Sequence, residues 1–199
     1  MKKFFKQVWE ATFHPETFFQ ILQDETSWRR PFAHLFLLAL WLSLGSVLAW
    51  SAGVPGDTPV NSSLGAQMDI YPYWRDTLLP KYGALSYPFA MAFIMLEMFI
   101  ISFIWIPMVF FVFRFLGGKR EPWQRSLLHA AQGFIYGLSP CFFGGFLPYL
   151  ALLTGVYATL LQFFRGPAIT LQNKSFVPYL FVAIFLALAI LRYWQGALL

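Results

Sequence analysis

From Leu85 to Leu116 the sequence runs apolar with only Glu97 and Arg114 as ionisable interruptions. As one helix this run would measure about 48 Å, at about 1.5 Å per residue. The hydrocarbon layer of a bilayer needs only about 20 such residues. A stretch of this kind must be covered by lipid or by other helices, and only 12% of the chain is charged while 58% is apolar. A soluble domain carries roughly 25% charged residues, so the composition excludes that class. Backbone polar groups in lipid must be satisfied within the segment, which favours helices throughout.

Scanning for further runs of spanning length finds apolar blocks over 31–53, 85–116, 127–164 and 176–195. The third would extend about 57 Å as a single helix, too far for one crossing. Gly144, Gly145 and Pro148 lie inside it and break helices, so it is read as a hairpin of two spans, 127–144 and 148–164. Pro88 and Pro107 within the second block predict a ragged start and a kink. The expected fold is therefore all-α: a polytopic membrane protein with five transmembrane helices over residues 31–199 and an outer loop at 54–84. The length allows one domain.

Charge placement points the same way, because short cytoplasmic loops carry the excess of Lys and Arg. With the N-terminus inside, the cytoplasmic segments hold Lys2, Lys3, Lys6, Arg29, Arg30, Arg114, Lys119, Arg120, Arg125, Arg165 and Lys174. Only Arg75, Lys81 and Arg192 fall outside, which together account for all 14 basic residues. The expected topology is N-terminus cytoplasmic and C-terminus outside. Trp9, Trp28 and Trp123 then mark one interface and Trp50, Trp74 and Trp194 the other, the level that amphipathic rings prefer. Trp41 and Trp105 lie deeper, at positions expected to pack between helices. The net charge of +5 sits on the cytoplasmic face, where anionic lipid headgroups are its expected partner. Scattered positive charge without a binding module argues against nucleic acid.

Residues 1–30 form neither a span nor a separate globular unit. Phe4, Phe5, Val8, Trp9 and Phe13 recur at helical spacing among Lys2, Lys3 and Lys6, the pattern of a short interfacial amphipathic helix. Pro15 opens a second such helix with Glu16 in its first turn and Phe18, Phe19, Ile21 and Leu22 on its apolar side. These helices serve either as a membrane-lying anchor or as a docking surface for a cytoplasmic protein.

The segment "FHPETFFQIL" followed by "SWRRPF" and a span, and then "FLGGKREPWQRSLLHAAQGFIYGLSPCFFGGFLPYLALLTGVYATLLQFF", resembles the Yip domain family of five-span membrane proteins. The match covers most of the chain in topology. In residues it is strongest over 115–164, at Gly117, Gly118, Tyr136, Pro140, Gly155 and Tyr157. Eukaryotic members interact with Rab-type GTPases and act in vesicle trafficking. This chain lacks their long polar N-terminal region and its aspartate-leucine-tyrosine-glycine-proline motif, so the resemblance implies a prokaryotic member in the cytoplasmic (inner) membrane. It implies a non-enzymatic adaptor or bilayer-organising role.

Catalytic patterns are sparse. His14, His34 and His129 lie in different segments without ligand spacing, and the single cysteine, Cys141, leaves too few thiols for a zinc site or an internal disulfide. No P-loop, histidine-glutamate pair or nucleophile elbow occurs, so neither metal nor cofactor is expected, and no enzymatic activity. Glu97 remains the one acidic residue within a span, a costly placement that marks a candidate site. On the five-span layout Tyr136, Ser139 and Tyr157 fall at comparable depth and would satisfy a neutral Glu97 carboxyl by hydrogen bonding. The alternative function is a small transporter, channel or lipid-moving protein built on Glu97. Gln132 and Gln162 lie nearer the inner interface, where they cap a water-filled vestibule or bond between helices. The Gly144 and Gly145 pair is compatible with a homo-oligomeric contact.

Overall fold

The computed structural model describes residues 2–53, 70–117, 122–144, 148–172 and 183. Among them every regular element is helical. The chain opens with α1 (Lys2–Phe13) and α2 (Pro15–Ile21), the latter started by Pro15 and ended by a 3-10 turn, Leu22–Asp24. Helix α3 covers Arg29–Ser51. Short helices α4 (Ile70–Tyr73) and α5 (Leu79–Tyr82) flank a π-helical turn, Trp74–Leu78. Then come α6 (Ser86–Gly117), α7 (Trp123–Gly137) and the single turn α8 (Cys141–Gly144). Helix α9 (Pro148–Leu160) passes through a second π-helical turn, Leu161–Arg165, into α10 (Gly166–Thr170).

Two helical stretches, Arg29–Ser51 and Tyr71–Phe115, are long and apolar enough to cross a membrane. The second is interrupted at Gly83, whose φ of 55° lies in the region that glycine tolerates best. The uninterrupted part is therefore α6, which runs through Pro107 without a break. The described helices within 127–144 and 148–164 are not among the two. The expected span over 176–195 lies outside the described residues apart from Ala183, as do residues 54–69 of the expected outer loop.

Helices α3 and α6 pack antiparallel. At one end Val47 and Trp50 of α3 meet Ala90 and Ile94 of α6, and Tyr71 and Trp74 close the cluster. Further along, Phe32 stacks on Phe103 with ring centroids 5.9 Å apart. Helix α7 then lies against the remaining length of α6: Arg114 donates to Ser126 at 3.0 Å, while Phe163 bridges Trp105 of α6 and Phe134 of α7. Nearly every residue of α7 from Ser126 onward is buried, as befits a helix enclosed by others.

Helix α7 differs from the expected span. It begins at Trp123 and stops at Gly137, and its 15 residues extend about 22 Å. Residues 138–140 form a turn before α8. Pro140 has no amide hydrogen to continue the helical ladder, so the break comes before the glycine pair that marked it in the sequence. Ser139 of the turn meets His34 in the first half of α3, and α8 follows beside the middle of α3, because Trp41 stacks on Phe142 at 4.6 Å and donates to its carbonyl at 3.1 Å.

Glycines set the distance between α7 and the returning helix. A Cβ on Gly133 would come within 2.7 Å of the Pro167 nitrogen, and one on Gly137 within 2.7 Å of the Gln162 nitrogen. Backbones therefore touch directly at both positions, which larger residues would prevent.

The N-terminal helices are built into this core and do not form a unit of their own. Phe4 and Val8 join the main cluster with Leu35, Leu38, Phe134 and Cys141, while Ala11, Phe18, Phe19 and Leu22 surround Tyr136 and Leu161. The expected single apolar face of α1 is in fact two faces. Phe4, Val8, Ala11 and Thr12 point inward, whereas Phe5, Trp9 and Phe13 stay 42%, 54% and 52% exposed. Residues 5, 9 and 13 form a stripe because a spacing of four keeps them on one side of the helix.

Candidate functional site

The sequence-predicted grouping around Glu97 is not brought together. Glu97 sits half-buried on α6 between the buried side chains of Ile94 and Met98. It takes part in no described hydrogen bond or ion pair. Its expected partners are engaged elsewhere: the Tyr157 hydroxyl donates to the Thr12 carbonyl at 2.7 Å, and Ser139 Oγ shares a hydrogen bond with His34 Nε2 at 3.1 Å. The Tyr136 ring packs on His34 at 4.6 Å and on Phe18 at 5.2 Å. Tyr136 and Ser139 thus belong to one site, Tyr157 ties α1 beside it, and Glu97 stands apart.

Of the family-motif positions, Pro140 lies in the turn after α7, Gly155 is buried within α9, and Gly117 is the last residue of α6. Gly118 lies outside the described residues.

What the fold assembles is a line of buried polar side chains on α7. Ser126, His129, Gln132 and Tyr136 follow at intervals of three, three and four, and Ser139 extends the line past the turn. All five are buried. Spacing of this kind keeps them on one face, while Ala130, Ala131, Phe134 and Ile135 on the other faces belong to the apolar core. At one end Ser126 meets Arg114; at the other Ser139 and Tyr136 meet His34. Between them Gln132 donates to the Glu25 carbonyl at 3.3 Å, and Thr170 Oγ1 donates to the His129 carbonyl at 2.8 Å.

Around this line several buried atoms find no protein partner: Gln132 Oε1, His34 Nδ1, Thr12 Oγ1 and both amide atoms of Gln162. An unsatisfied buried polar atom costs about 1–3 kcal/mol. Gln162 is fully buried within the π-helical turn, its Cγ resting against α7 at Gly137. Turns of that type inside α-helices occur often at functional sites. Among the described residues no group of three or more His, Cys, Asp or Glu is placed to hold a metal.

The residues that sequence reasoning passed over here are Thr12, His34, Ser126 and His129. Read as metal ligands, the histidines show no pattern, because they lack ligand spacing. The signal that points to Ser126 and His129 is the three-three-four-three spacing of polar residues through an otherwise apolar segment, whereas Thr12 and His34 lie on other helices and carry no such signal.

The opposite end of the molecule carries a second polar group. Arg75 and Asp76 pair at 2.6 Å on an exposed turn, and the Arg75 guanidinium holds the Asp76 carboxyl below its ordinary range by hydrogen bonding and charge. At the Ser126 end, Arg30 pairs with Glu25 and Arg125 donates to the Gln23 carbonyl at 3.3 Å. Arg165 pairs with Glu16 of α2.

Comparison of the chain with protein-family models, with curated proteins and with solved structures gives no match.

Proposed function

We propose that this chain is a non-enzymatic integral membrane protein of the Yip type, acting as a membrane adaptor or bilayer-organising protein in a prokaryotic cytoplasmic membrane. In this reading residues 31–199 cross the bilayer five times, with the N-terminus inside and the C-terminus outside. The observation that carries the reading is the division of α1 into two faces. Its inner face is fastened to the bundle, while Phe5, Trp9 and Phe13 remain exposed beside the exposed side chains of Lys2, Lys3 and Lys6. The stripe continues onto the bundle: Phe5 contacts Trp41 and Phe142, and Phe13 contacts Phe143. Lys2, Lys3 and Lys6 beside this stripe suit anionic lipid headgroups. A rigidly held aromatic stripe also suits a protein partner or a second copy of the chain.

Affinity purification of the intact protein from native membranes, beside Trp9→Ser, tests the adaptor role. A stoichiometric partner or second copy retained by the parent and lost from the variant is expected; identical, partner-free preparations of both would sink it. The sidedness is tested by single cysteines at Asp69 and Lys119 in a background lacking Cys141. These should react with impermeant thiol reagents from opposite sides.

A second reading, a small transporter, channel or lipid-moving protein, is kept because the Glu97 carboxyl has no described partner on an apolar helix. Flux in proteoliposomes that vanishes in Glu97→Ala would favour it over the adaptor.

A further inference from the structure

We infer that α1 is seated inside the inner leaflet, with its aromatic stripe against acyl chains and its lysines on anionic lipid phosphates that the leaflet brings inward to meet them. This placement rests on the reading in which α3 crosses the bilayer from a cytoplasmic N-terminus, and it adds the depth of α1 and the occupant of its stripe. Depth follows from where α1 touches α3. Arg30 pairs with Glu25 at the start of α3, and Arg114 and Arg125 join Ser126 and Gln23 at the same end. Basic residues collect on the cytoplasmic side, so this end marks the inner boundary. The Phe4 ring lies 5.1 Å from His34 and the Phe5 ring 6.3 Å from Trp41. His34 and Trp41 stand about 8 and 18 Å along α3 from Arg29 at helical rise, well within a hydrocarbon layer about 30 Å thick. Phe5 reaches α8 at Phe142 and Phe13 reaches it at Phe143, so α1 runs across the bundle at this level and does not descend to the arginines.

The faces of α1 identify what covers it. Helical spacing sets the stripe of Phe5, Trp9 and Phe13 between the buried face and the exposed side of Lys3 and Lys6. Through Phe5 the stripe turns toward Trp41, away from the arginine end. The exposed side chains of α3 around that level are Leu37, Leu40 and Leu44, and α3 carries no Asp, Glu, Lys or Arg from Pro31 to Ser51. An apolar surface continued by a helix of spanning length is matched by acyl chains. Lysines at that depth need water or headgroups: their long chains snorkel, and the bilayer thins locally around them. Anionic headgroups supply the counter-charge.

The test is nitroxide accessibility in the full chain, carried in nanodiscs of phosphatidylcholine and phosphatidylglycerol in a Cys141→Ser background. Labels at Trp9→Cys on the stripe, Leu44→Cys on α3 and Asp24→Cys at the arginine end are scored for collision with oxygen, which enriches in hydrocarbon, and with a nickel chelate, which stays in water. The label on α1 should match the one at Leu44→Cys, with high oxygen collision and loss of nickel collision, while Asp24→Cys shows the reverse. Should Trp9→Cys fail to fold, Phe13→Cys reads the same stripe. Nickel collision on α1 equal to that at Asp24→Cys, with Leu44→Cys shielded, overturns the inference and leaves the membrane reading standing. Nickel collision at all three positions overturns both. Exclusion of oxygen and nickel alike from α1, with dipolar broadening between labels, also overturns it, because a second copy then covers the stripe. Combining Lys2→Gln, Lys3→Gln and Lys6→Gln should withdraw the headgroups, read as loss of nickel collision at Leu37→Cys, one turn nearer Arg29 than Trp41. Unchanged collision there refutes the part given to the lysines.

Discussion

Replacing Gly133 by Ala probes the direct contact of two helix backbones. The added Cβ would stand 2.7 Å from the Pro167 nitrogen and 2.8 Å from the Gly166 carbonyl carbon. Ordinary contact begins near 3.4 Å, so the position falls about 0.7 Å short. Both opposing atoms are main chain and cannot rotate aside. Overpacking a close interior contact costs about 1–3 kcal/mol, and a backbone obstacle places this case near 3 kcal/mol. Alanine recovers about 1 kcal/mol through its better helix propensity. The net loss is about 2 kcal/mol, which for a chain of this size lowers the unfolding midpoint by about 4–8 °C. Thermal unfolding of the purified protein, followed by tryptophan fluorescence, measures it. A variant as stable as the parent, or more so, would refute the argument, because α7 and α10 could then not be in backbone contact. Gly166→Ala should behave alike, and the double variant should lose less than the two single losses combined, since both changes relieve themselves by the same separation.

Ser139→Ala should destabilise the fold by about 1–3 kcal/mol, because it leaves His34 Nε2 buried without its partner; the same thermal assay checks it. Tyr157→Phe removes the bond that fastens α1 to α9 and should cost about 1 kcal/mol. Hydrogen exchange should show the loss concentrated in residues 2–13, and uniform loss along the chain would contradict it. Asp76 should titrate below the ordinary aspartate value of about 3.9, because Arg75 favours its charged form. Its small contribution to stability is then present at pH values above that of a free aspartate and disappears as the pH falls through the lowered value, which carboxyl chemical shifts in Asp76 and Arg75→Gln samples would reveal.

The long helices were legible because length and apolarity alone define them. The expected block at 31–53 corresponds to Arg29–Ser51, and that at 85–116 to Ser86–Gly117. Pro88 falls in the first turn of α6, where a missing amide hydrogen costs nothing. Helix α7 was harder to read because its buried faces are built from small and mildly polar residues, Ala130, Ala131, Gln132 and Gly133 among them. A hydropathy rule cannot tell enclosure by protein from enclosure by lipid. Its end was misplaced because two breakers compete in one segment, and Pro140 acts before Gly144 is reached. The site was misjudged for a related reason. Depth inferred from span boundaries placed Glu97 beside Tyr136, yet depth follows from helix register, and α7 meets α3 at His34. Likewise α1 reads as one amphipathic face until tertiary contacts divide its aromatic residues, because Phe4 and Phe5 are chemically alike and only the core distinguishes them.

The π-helical turn at Leu161–Arg165 bears on which changes in chain length the fold can absorb. Such a turn holds one residue more than the α-helical turn joining the same two ends. It lets Tyr157 reach α1 on one side while Gly166 and Thr170 stay seated on α7 on the other. A single-residue deletion within this stretch can therefore be taken up by reverting to an ordinary helical turn, with both flanks keeping their facing. The same deletion in the middle of α7 has no surplus to draw on and would swing every following side chain by about 100°. Tolerance of length variation is thus built into the turn that also buries Gln162.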